Sequence, residues 1–209
     1  KLRASSSPKG DEYARFLFDR RQRKGMTLAT AKHLVKQANY YGSIMVELGH
    51  ADGLVSGISQ SYPDTIRPAI QVVGVKPGSR LAGIYMMILK GRVLFFADTT
   101  VNIEPTAEEL ADIAIQTADM TGSFMMGEPK IAMLSFSNFG SSSHPFAVKM
   151  KRATDLVKKK RPELMVDGEM QADTALAPEL SASSFPFNRV PGDANILIFP
   201  DLQSGNVAY

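Results

Sequence analysis

The sequence predicts an α/β fold, with a mostly parallel sheet and helices on both faces. Short apolar runs alternate with longer segments whose apolar residues recur at helical spacing, a pattern typical of parallel strands joined by helical crossovers. Two apolar runs joined by a tight turn near residues 81–98 add an antiparallel hairpin. The chain has 209 residues, of which 44% are hydrophobic, so a sizeable packed core is expected.

The first third of the chain is predicted to hold a helix, a strand and a second helix. Thr27–Leu48 has apolar residues at helical spacing, and Gly49 is a suitable terminator. The short apolar run Asp52–Gly57 is bounded by glycines and is predicted to be a buried strand. The helix that follows is predicted to have Asp64 as its N-cap and Pro68 near its first turn, where a missing amide costs little.

In the middle of the chain, the sequence predicts the hairpin and then a capped helix. Within Leu81–Val101, two apolar runs flank a turn at Gly91. Both runs are apolar on both faces, so both strands are expected to lie in a covered sheet. Thr106 is followed three residues later by Glu109, which makes a capping box, and helical spacing continues from there to Met120.

The last part of the chain continues the alternation of strands and helices. Its Pro-, Gly- and Ser-rich stretch, Ser183–Asp193, is predicted to be a surface loop. A further helix is expected to begin at about Tyr209. The predicted elements are a strand at Ile131–Leu134, a helix at His144–Lys160, a strand at Leu164–Gly168, a helix at Met170–Leu180 and a strand at Ala194–Leu202.

The composition excludes several kinds of site. Without cysteine the chain has no disulfide, thiolate zinc site or cysteine nucleophile, which fits a reducing compartment. The histidines, His33, His50 and His144, show no metal-ligand spacing, so no metal site is predicted. No apolar run is long enough to cross a membrane and the amino end lacks a signal-peptide core, so we expect a cytoplasmic protein without a membrane partner.

The charge gives little guidance about partners. The pI is about 9.1, but a net charge of +3 is slight for this length. Basic residues cluster in Asp19–Gly25 and Lys149–Pro162. These clusters are either solvated helix faces or a binding site for a phosphorylated ligand. Aromatic residues interleaved with these charges are missing, so no nucleic-acid partner is predicted.

Polar segments follow four of the predicted strands. Ligands of open α/β sheets bind beyond the carboxyl ends of the strands, so four polar segments at equivalent positions predict one shared cleft. The segments are Ser56–Pro68, Ala97–Asn102, Ser135–Pro145 and Asp167–Asp173.

The first polar segment suggests a phosphate contact. Arg67 is expected on a first helical turn, where free amides and a guanidinium together suit phosphate. The alternative is a salt bridge to Asp64, one turn away. Ser137–Ser143 offers hydroxyls and amides at a helix start, either for a ligand or as an ordinary cap, without the lysine and spacing of a Walker loop.

The carboxylates in the other segments allow two interpretations. Asp167, Glu169 and Asp173 are spaced for acid/base work or magnesium binding, but residues of this kind more often cap the next helix. The same two interpretations, a chemical role or a helix cap, apply to Asp98 and Asn102. No catalytic residue is assigned from them.

Several sequence blocks occur in a recognisable order: ADGLVSG with DTIRPAIQ, FADTTVNIEPTAEELADIAIQTA, EPKIAMLSFSNFGS, KKKRPELMVDGEMQADTAL and ANILIFPDLQSGNVAY. Together they resemble the phosphate acetyl/butyryl transferase family, from about Thr27 onward. The words SNFGS, DGEMQAD and FPFNR resemble more closely the carboxyl-terminal domain of large bacterial NADP-dependent malic enzymes.

The resemblance implies a two-lobed fold like that of isocitrate and isopropylmalate dehydrogenases, with coenzyme A or acetyl-CoA in the cleft. It also implies a homodimer or higher oligomer. Arg67 matches the family's RP motif, where an arginine meets phosphate. The family's catalytic serine-arginine pair and aspartate would lie beyond Tyr209, and its first βα units before Lys1, so residues 1–209 are expected to be part of one domain.

The function predicted from the malic-enzyme likeness is regulatory. The chain would bind acetyl-CoA as an effector and form dimers, while NADP and a divalent metal would belong to an absent domain that decarboxylates malate to pyruvate. Phe139 would stack on CoA, and the bulky Asn138-Phe139 pair would crowd a second substrate, which favours binding without turnover.

Two alternatives stay open at this point. One is an active phosphate acetyltransferase, and the other is an inert dimerisation module that uses the apolar run Ile84–Ile88. The predicted ligand-binding residues are Ser59, Ser61, Thr65, Arg67, Ser137, Asn138, Phe139, Gly140, Ser141, Asp167 and Gln171.

Overall fold

The computed structural model describes residues 3–122 and 127–209, which divide into two compact units, Lys1–Pro77 and Gly78–Tyr209. Where it is described, the first unit is helical around a core that contains Tyr13, Leu17 and Ile44. Its helices are α1 (Gly10–Arg21), α2 (Leu28–Leu34), α3 (Ala38–Glu47) and α4 (Tyr62–Val72), with short 3-10 turns at Ala4–Ser6 and Gln22–Lys24.

The predicted strand at Asp52–Gly57 is wrong. The segment is irregular, and Val55 is fully exposed. The described part of the first unit contains no strand that could pair with it, and its glycines favour irregular backbone. It is held instead by the buried Asn39, whose Oδ1 accepts a hydrogen bond of 2.6 Å from the Ser56 hydroxyl. The long helix predicted before it is divided into α2 and α3, and Gly49 follows α3 in the left-handed region, at φ 69°.

Helix α4 begins earlier than predicted. Ser61, not Asp64, is its N-cap, and Pro68 lies in the helix interior. A proline there cannot donate to the carbonyl four residues back, which is that of Asp64. That carbonyl accepts a hydrogen bond of 3.1 Å from the Asn39 side chain instead. Asn39 therefore pairs the carbonyl that Pro68 leaves free in α4, and it also holds Ser56 in the loop before this helix.

The second unit contains a five-stranded sheet in the order β1-β2-β5-β3-β4. β1 and β2 form the antiparallel hairpin around Gly91, while β2, β5, β3 and β4 run parallel to one another, which confirms the predicted fold class. The strands are β1 (Tyr85–Leu89), β2 (Arg92–Ala97), β3 (Lys130–Leu134), β4 (Met165–Met170) and β5 (Ile196–Ile198).

Alternate residues along the strands pack on opposite faces of this sheet. Ile131 and Met133 belong to the core beneath the two long helices, whereas Ala132 and Leu134 belong to the core on the other face. The capping box predicted at Thr106 is present. The helices are α5 (Ala107–Thr121), α6 (Pro145–Lys160), α7 (Ala172–Leu176), α8 (Pro178–Ser184) and α9 (Leu202–Ala208). Within residues 3–122 and 127–209, no helix has both the length and the apolar character needed to cross a membrane.

Other expectations for this unit need correction. β1 is an edge strand whose Ile88 is 78% exposed, so the hairpin is not covered on both faces. The helix predicted at Met170–Leu180 is divided in two because Pro178 starts a new helix. The predicted surface loop contains the fully buried Val190 and part of α8. The last helix begins at Leu202, well before the position where it was expected.

Candidate functional site

A cavity of about 760 Å³ lies at the carboxyl ends of the parallel strands of the second unit, and we call it the edge cavity. It is bordered by the segments that follow β2, β3 and β5 and by the first turn of α6. Its wall includes the apolar Ile103, Phe136, Phe146 and Leu202 and the charged Lys149 and Asp201.

The walls of the edge cavity are fixed by hydrogen bonds between neighbouring segments. The Ser135 amide donates to the Met170 carbonyl at 2.8 Å, which continues the β3–β4 pairing beyond the end of β3. The Lys149 ammonium donates to the Pro200 carbonyl at 2.8 Å, and this bond ties α6 to the segment after β5. Asp201 accepts the Ser204 amide at 2.8 Å and so caps α9. The cavity therefore has a preformed frame with a cation on its wall.

The predicted ligand-binding residues after β3 mainly bond to one another and to β4. The Asn138 side chain donates to Gln171 Oε1 at 2.9 Å, and Asn138 Oδ1 accepts the Gln171 amide at 2.7 Å. The Ser137 hydroxyl lies 3.0 Å from that of Ser141, and the Gly140 amide donates to Glu169. The structure brings these residues together as a hydrogen-bonded turn, beside the edge cavity rather than on its wall.

Phe139 and Asp167 line a second, smaller cavity of about 310 Å³. Phe139 adopts φ 45°, and its ring packs against those of Phe185 and Phe187, at centroid distances of 5.2 and 4.9 Å. The Asp167 carboxylate accepts hydrogen bonds from Lys158 Nζ at 2.7 Å and from the Arg189 amide at 2.8 Å. Both side chains therefore already have protein partners.

The other carboxylates noted in the sequence differ in how they are used. Asp98 is buried, and its oxygens accept the amides of Thr100, Val101 and Asn102 in its own loop. The Asp173 carboxylate accepts the following amide, that of Thr174, at the start of α7. These two carboxylates have local structural roles, but neither is a helix N-cap, since Thr106 caps α5 and Gln171 occupies the N-cap position of α7.

The four predicted residues of the first unit lie on or just before α4. Ser59 is exposed in the loop, Ser61 caps the helix, and the Thr65 hydroxyl donates to the Ser61 carbonyl at 3.1 Å. Arg67 is exposed and has no ion-pair or hydrogen-bond partner among residues 3–122 and 127–209. The predicted cleft shared with the residues after β3 stays a prediction.

The alternative interpretation of Arg67, a salt bridge to Asp64, is not observed. The Asp64 carboxylate accepts the Ser61 hydroxyl at 2.6 Å instead. Burial raises the pKa of Tyr40, and the positive charges of Arg67 and Arg21 act in the opposite direction. The Arg67 guanidinium therefore keeps its hydrogen-bond donors free of partners within the described ranges.

Sequence reasoning missed the residues that line the edge cavity. Phe136 lay inside a polar segment whose hydroxyls drew attention, and Lys149 was part of a basic cluster. Asp201 follows the last strand, and the rule used for the other strand ends would have found it. In the described ranges, His, Asp and Glu side chains form no group of three or more that could hold a metal ion.

Known proteins resemble this chain along almost its whole length. It is 42% identical over 97% of its length to the phosphate acetyltransferase of Thermoanaerobacterium thermosaccharolyticum, and 40% identical over 98% to that of Clostridium acetobutylicum. Its fold matches a phosphotransacetylase from Streptococcus pyogenes with a TM-score of 0.87 at 41% identity over 99% of the chain. The EutD phosphotransacetylase from Staphylococcus aureus gives the same TM-score at 37% identity over 100% of the chain. The chain spans 63–64% of the length of these four proteins.

These relatives overturn the prediction of a malic-enzyme regulatory domain. They are phosphate acetyltransferases and phosphotransacetylases, so the malic-enzyme, oxidoreductase and NADP assignments are wrong, and with them the effector role of acetyl-CoA. The three short motifs that led to the malic-enzyme prediction lie together in the structure. SNFGS, DGEMQAD and FPFNR meet in one place, through the Asn138–Gln171 pair and the packing of Phe139 on Phe185 and Phe187. The three motifs therefore form one packed region of the second unit.

The family model for phosphate acetyl/butaryl transferase matches residues 2–209. This match covers the helical first unit and the sheet of the second, and it agrees with the resemblance found in the sequence blocks. The chain belongs to the phosphate acetyl/butyryl transferase family.

Proposed function

We propose that this protein is a phosphate acetyltransferase, which converts acetyl-CoA and inorganic phosphate to acetyl phosphate and CoA. In this reaction a phosphate oxygen attacks the thioester carbonyl, a C–O bond forms and the C–S bond breaks. The CoA thiolate leaves and takes up the proton that the phosphate carried. The observation that carries the proposal is the edge cavity, in a chain 37–42% identical to phosphate acetyltransferases.

The edge cavity suits the acetyl-pantetheine arm of acetyl-CoA. Its volume of about 760 Å³ falls in the range typical of small-molecule sites, and most of its wall is apolar. Phe136 and Phe146 offer apolar surface for the arm, while the Lys149 ammonium uses one of its three donors on the Pro200 carbonyl. A remaining donor is available for a carbonyl that gains negative charge during attack.

Arg67 is the candidate contact for inorganic phosphate. A guanidinium binds phosphate oxygens through two parallel hydrogen bonds, and this one is exposed without a protein partner in the described chain. The Asp64 carboxylate, which would compete for it, is engaged by Ser61. Arg67 therefore supports the proposal independently of the edge cavity.

Asn138 and Phe139 do not crowd a second substrate in the edge cavity. Asn138 and Phe139 were expected to crowd a second substrate, but Asn138 is paired with Gln171 and Phe139 packs against two other phenylalanines. Neither side chain lines the edge cavity. The homodimer and the cytoplasmic location stay predictions, as does acetyl rather than a longer acyl group.

The proposal is tested by measuring acetyl phosphate formation with the protein expressed from its complete coding sequence. We expect turnover that requires both acetyl-CoA and phosphate. Lys149→Met should lower kcat/KM for acetyl-CoA on the order of ten-fold, because a charged hydrogen-bond donor contributes roughly 1.5 kcal/mol or more. Lys159→Met is the matched control, since Lys159 is exposed on the same helix and should leave kcat/KM unchanged. Wild-type protein that forms no acetyl phosphate would refute the proposal.

A further inference from the structure

Glu169 is a buried carboxylate at the carboxyl end of β4, only 1% exposed. One of its oxygens, Oε1, accepts the Gly140 amide at 2.6 Å and the Ser137 hydroxyl at 3.0 Å. Its main-chain carbonyl accepts the Phe139 amide at 2.8 Å. Three groups of the turn after β3 are thus held by this one residue of the neighbouring strand.

Further hydrogen bonds link the Glu169 contacts to the rest of the turn. The Ser137 hydroxyl, which donates to Glu169, also accepts the Ser142 amide at 3.1 Å. The Ser141 hydroxyl accepts the Asn138 amide at 3.0 Å and lies within hydrogen-bond distance of the Ser137 hydroxyl. The turn 137–142 is therefore organised around the Glu169 carboxylate.

This arrangement is costly for the fold. The second carboxylate oxygen, Oε2, is buried and has no hydrogen-bond partner in the described part of the chain. Burying a carboxyl oxygen without a hydrogen-bond partner opposes folding, and departures from good polar pairing concentrate at functional sites. A purely structural explanation of this residue would have to overcome that cost.

The turn stands directly beside the edge cavity. Ser135 and Phe136, which precede the turn, form part of the cavity wall. The residues that follow it lead into α6, whose first two turns place Phe146 and Lys149 on the same wall. A displacement of turn 137–142 would therefore move both sides of the wall that it connects.

We propose that Glu169 is a positioning residue for the transferase reaction, which sets the shape of the edge cavity by fixing turn 137–142 through Oε1. This inference rests on the proposed function. It assigns no contact between Glu169 and substrate. Because the role needs only a hydrogen-bond acceptor at Oε1, a glutamine at this position should perform it.

The test compares Glu169→Gln with Glu169→Ala in the protein from its complete coding sequence. Glutamine keeps an acceptor for Gly140 and Ser137, so the KM for acetyl-CoA should stay within about three-fold of wild type. Alanine removes the acceptor, so the same KM should rise on the order of ten-fold, with a smaller change in kcat. Amide hydrogen exchange in turn 137–142 should accelerate on the order of ten-fold in Glu169→Ala and stay near wild type in Glu169→Gln.

Thr117→Val serves as a control for general loss of stability. Thr117 is buried in α5, and its hydroxyl donates to the Ile113 carbonyl at 2.7 Å. It lies in the carboxyl-terminal half of α5 and is not one of the residues that line the edge cavity. The valine variant should lower Tm while leaving the KM for acetyl-CoA and the exchange of turn 137–142 unchanged.

Three results would overturn the inference. Glu169→Gln could behave like Glu169→Ala, Glu169→Ala could leave the turn protected, or Thr117→Val could raise KM equally. The exchange measurement decides on positioning even if the wild-type protein forms no acetyl phosphate. That last result would count against the proposed function alone, so the two failures are distinguishable.

Discussion

Two loops at the same edge of the sheet are organised in opposite ways. The β2–α5 loop folds around its own carboxylate, since Asp98 accepts the amides of Thr100, Val101 and Asn102. The β3–α6 loop has no carboxylate of its own and folds around Glu169, on the neighbouring strand β4. The first loop is thus organised by a carboxylate within it, and the second by a carboxylate from a different part of the chain.

The two carboxylates also differ in how fully they are paired. Each oxygen of Asp98 accepts hydrogen bonds, including one of 3.0 Å from the Gly83 amide. Glu169 uses one oxygen and leaves the other buried without a partner in the described ranges. Two loops that border the same cavity are thus held by carboxylates that differ in how completely their oxygens are paired.

Asp98→Ala should have the largest effect on stability. It leaves the loop amides without their acceptor in a site that is only 2% exposed, so the free energy of unfolding should fall by about 4 kcal/mol. Urea unfolding measures this change. Asp119→Ala is the control, because Asp119 is an exposed partner of Arg161 and should cost less than about 1 kcal/mol. Equal losses in the two variants would contradict the role of Asp98 as the organiser of its loop.

Gly168→Ala should come next, and it tests the approach of β4 to β3. Gly168 has φ 142°, and an added Cβ would lie 2.6 Å from the Met133 carbonyl oxygen. Strain and overlap together should lower the free energy of unfolding by about 3 kcal/mol.

Gly140→Ala is the matched control for this position. Gly140 also has a positive φ, 87°, but an added Cβ would meet nothing within 4 Å. It should therefore show the backbone strain alone, about 1 kcal/mol in the same urea titration. If Gly140→Ala cost as much as Gly168→Ala, close contact between the strands would not be what requires a glycine at Gly168.

The sequence predicts the elements of the second unit well because its signals there are local. The capping box at Thr106 and the hairpin turn at Gly91 each depend on residues a few positions apart, and both are present. Ile131–Leu134 is confirmed as a strand for a similar reason, since an apolar run between polar segments suits a buried strand.

The errors arise where the deciding partner is distant in sequence. Asp52–Gly57 has the apolar composition of a strand, but no described strand of its unit pairs with it. Pro68 is tolerated inside α4 because the Asn39 side chain donates to the free Asp64 carbonyl, and no local sequence pattern predicts that hydrogen bond. Local propensity is overridden in both cases by tertiary contacts.

One of the four predicted polar segments borders the edge cavity, but none of the predicted ligand-binding residues lines it. The rule that ligands bind beyond the carboxyl ends of parallel strands led to Ser135–Pro145, which does border the edge cavity. The hydroxyls and amides that drew attention there are used within the turn, whereas Phe136 and Lys149 line the cavity. Sequence alone does not show which polar groups the protein satisfies by itself.

The smallest expected effect concerns the second tie between the β3–α6 loop and β4, the Asn138–Gln171 pair. Asn138→Ala and Gln171→Ala each remove the 2.9 Å bond between the side chains, so the double variant should lose less free energy of unfolding than the sum. We expect a coupling energy of about 1 kcal/mol in a double-mutant cycle followed by urea unfolding. Asn138→Ala combined with Asp112→Ala is the control cycle, since Asp112 pairs with Lys160 on the surface, and it should be additive. A coupling energy near zero for Asn138 and Gln171 would leave the Glu169 carboxylate as the main side-chain anchor of the loop, beside the main-chain bonds of Ser135 and Phe139 to β4.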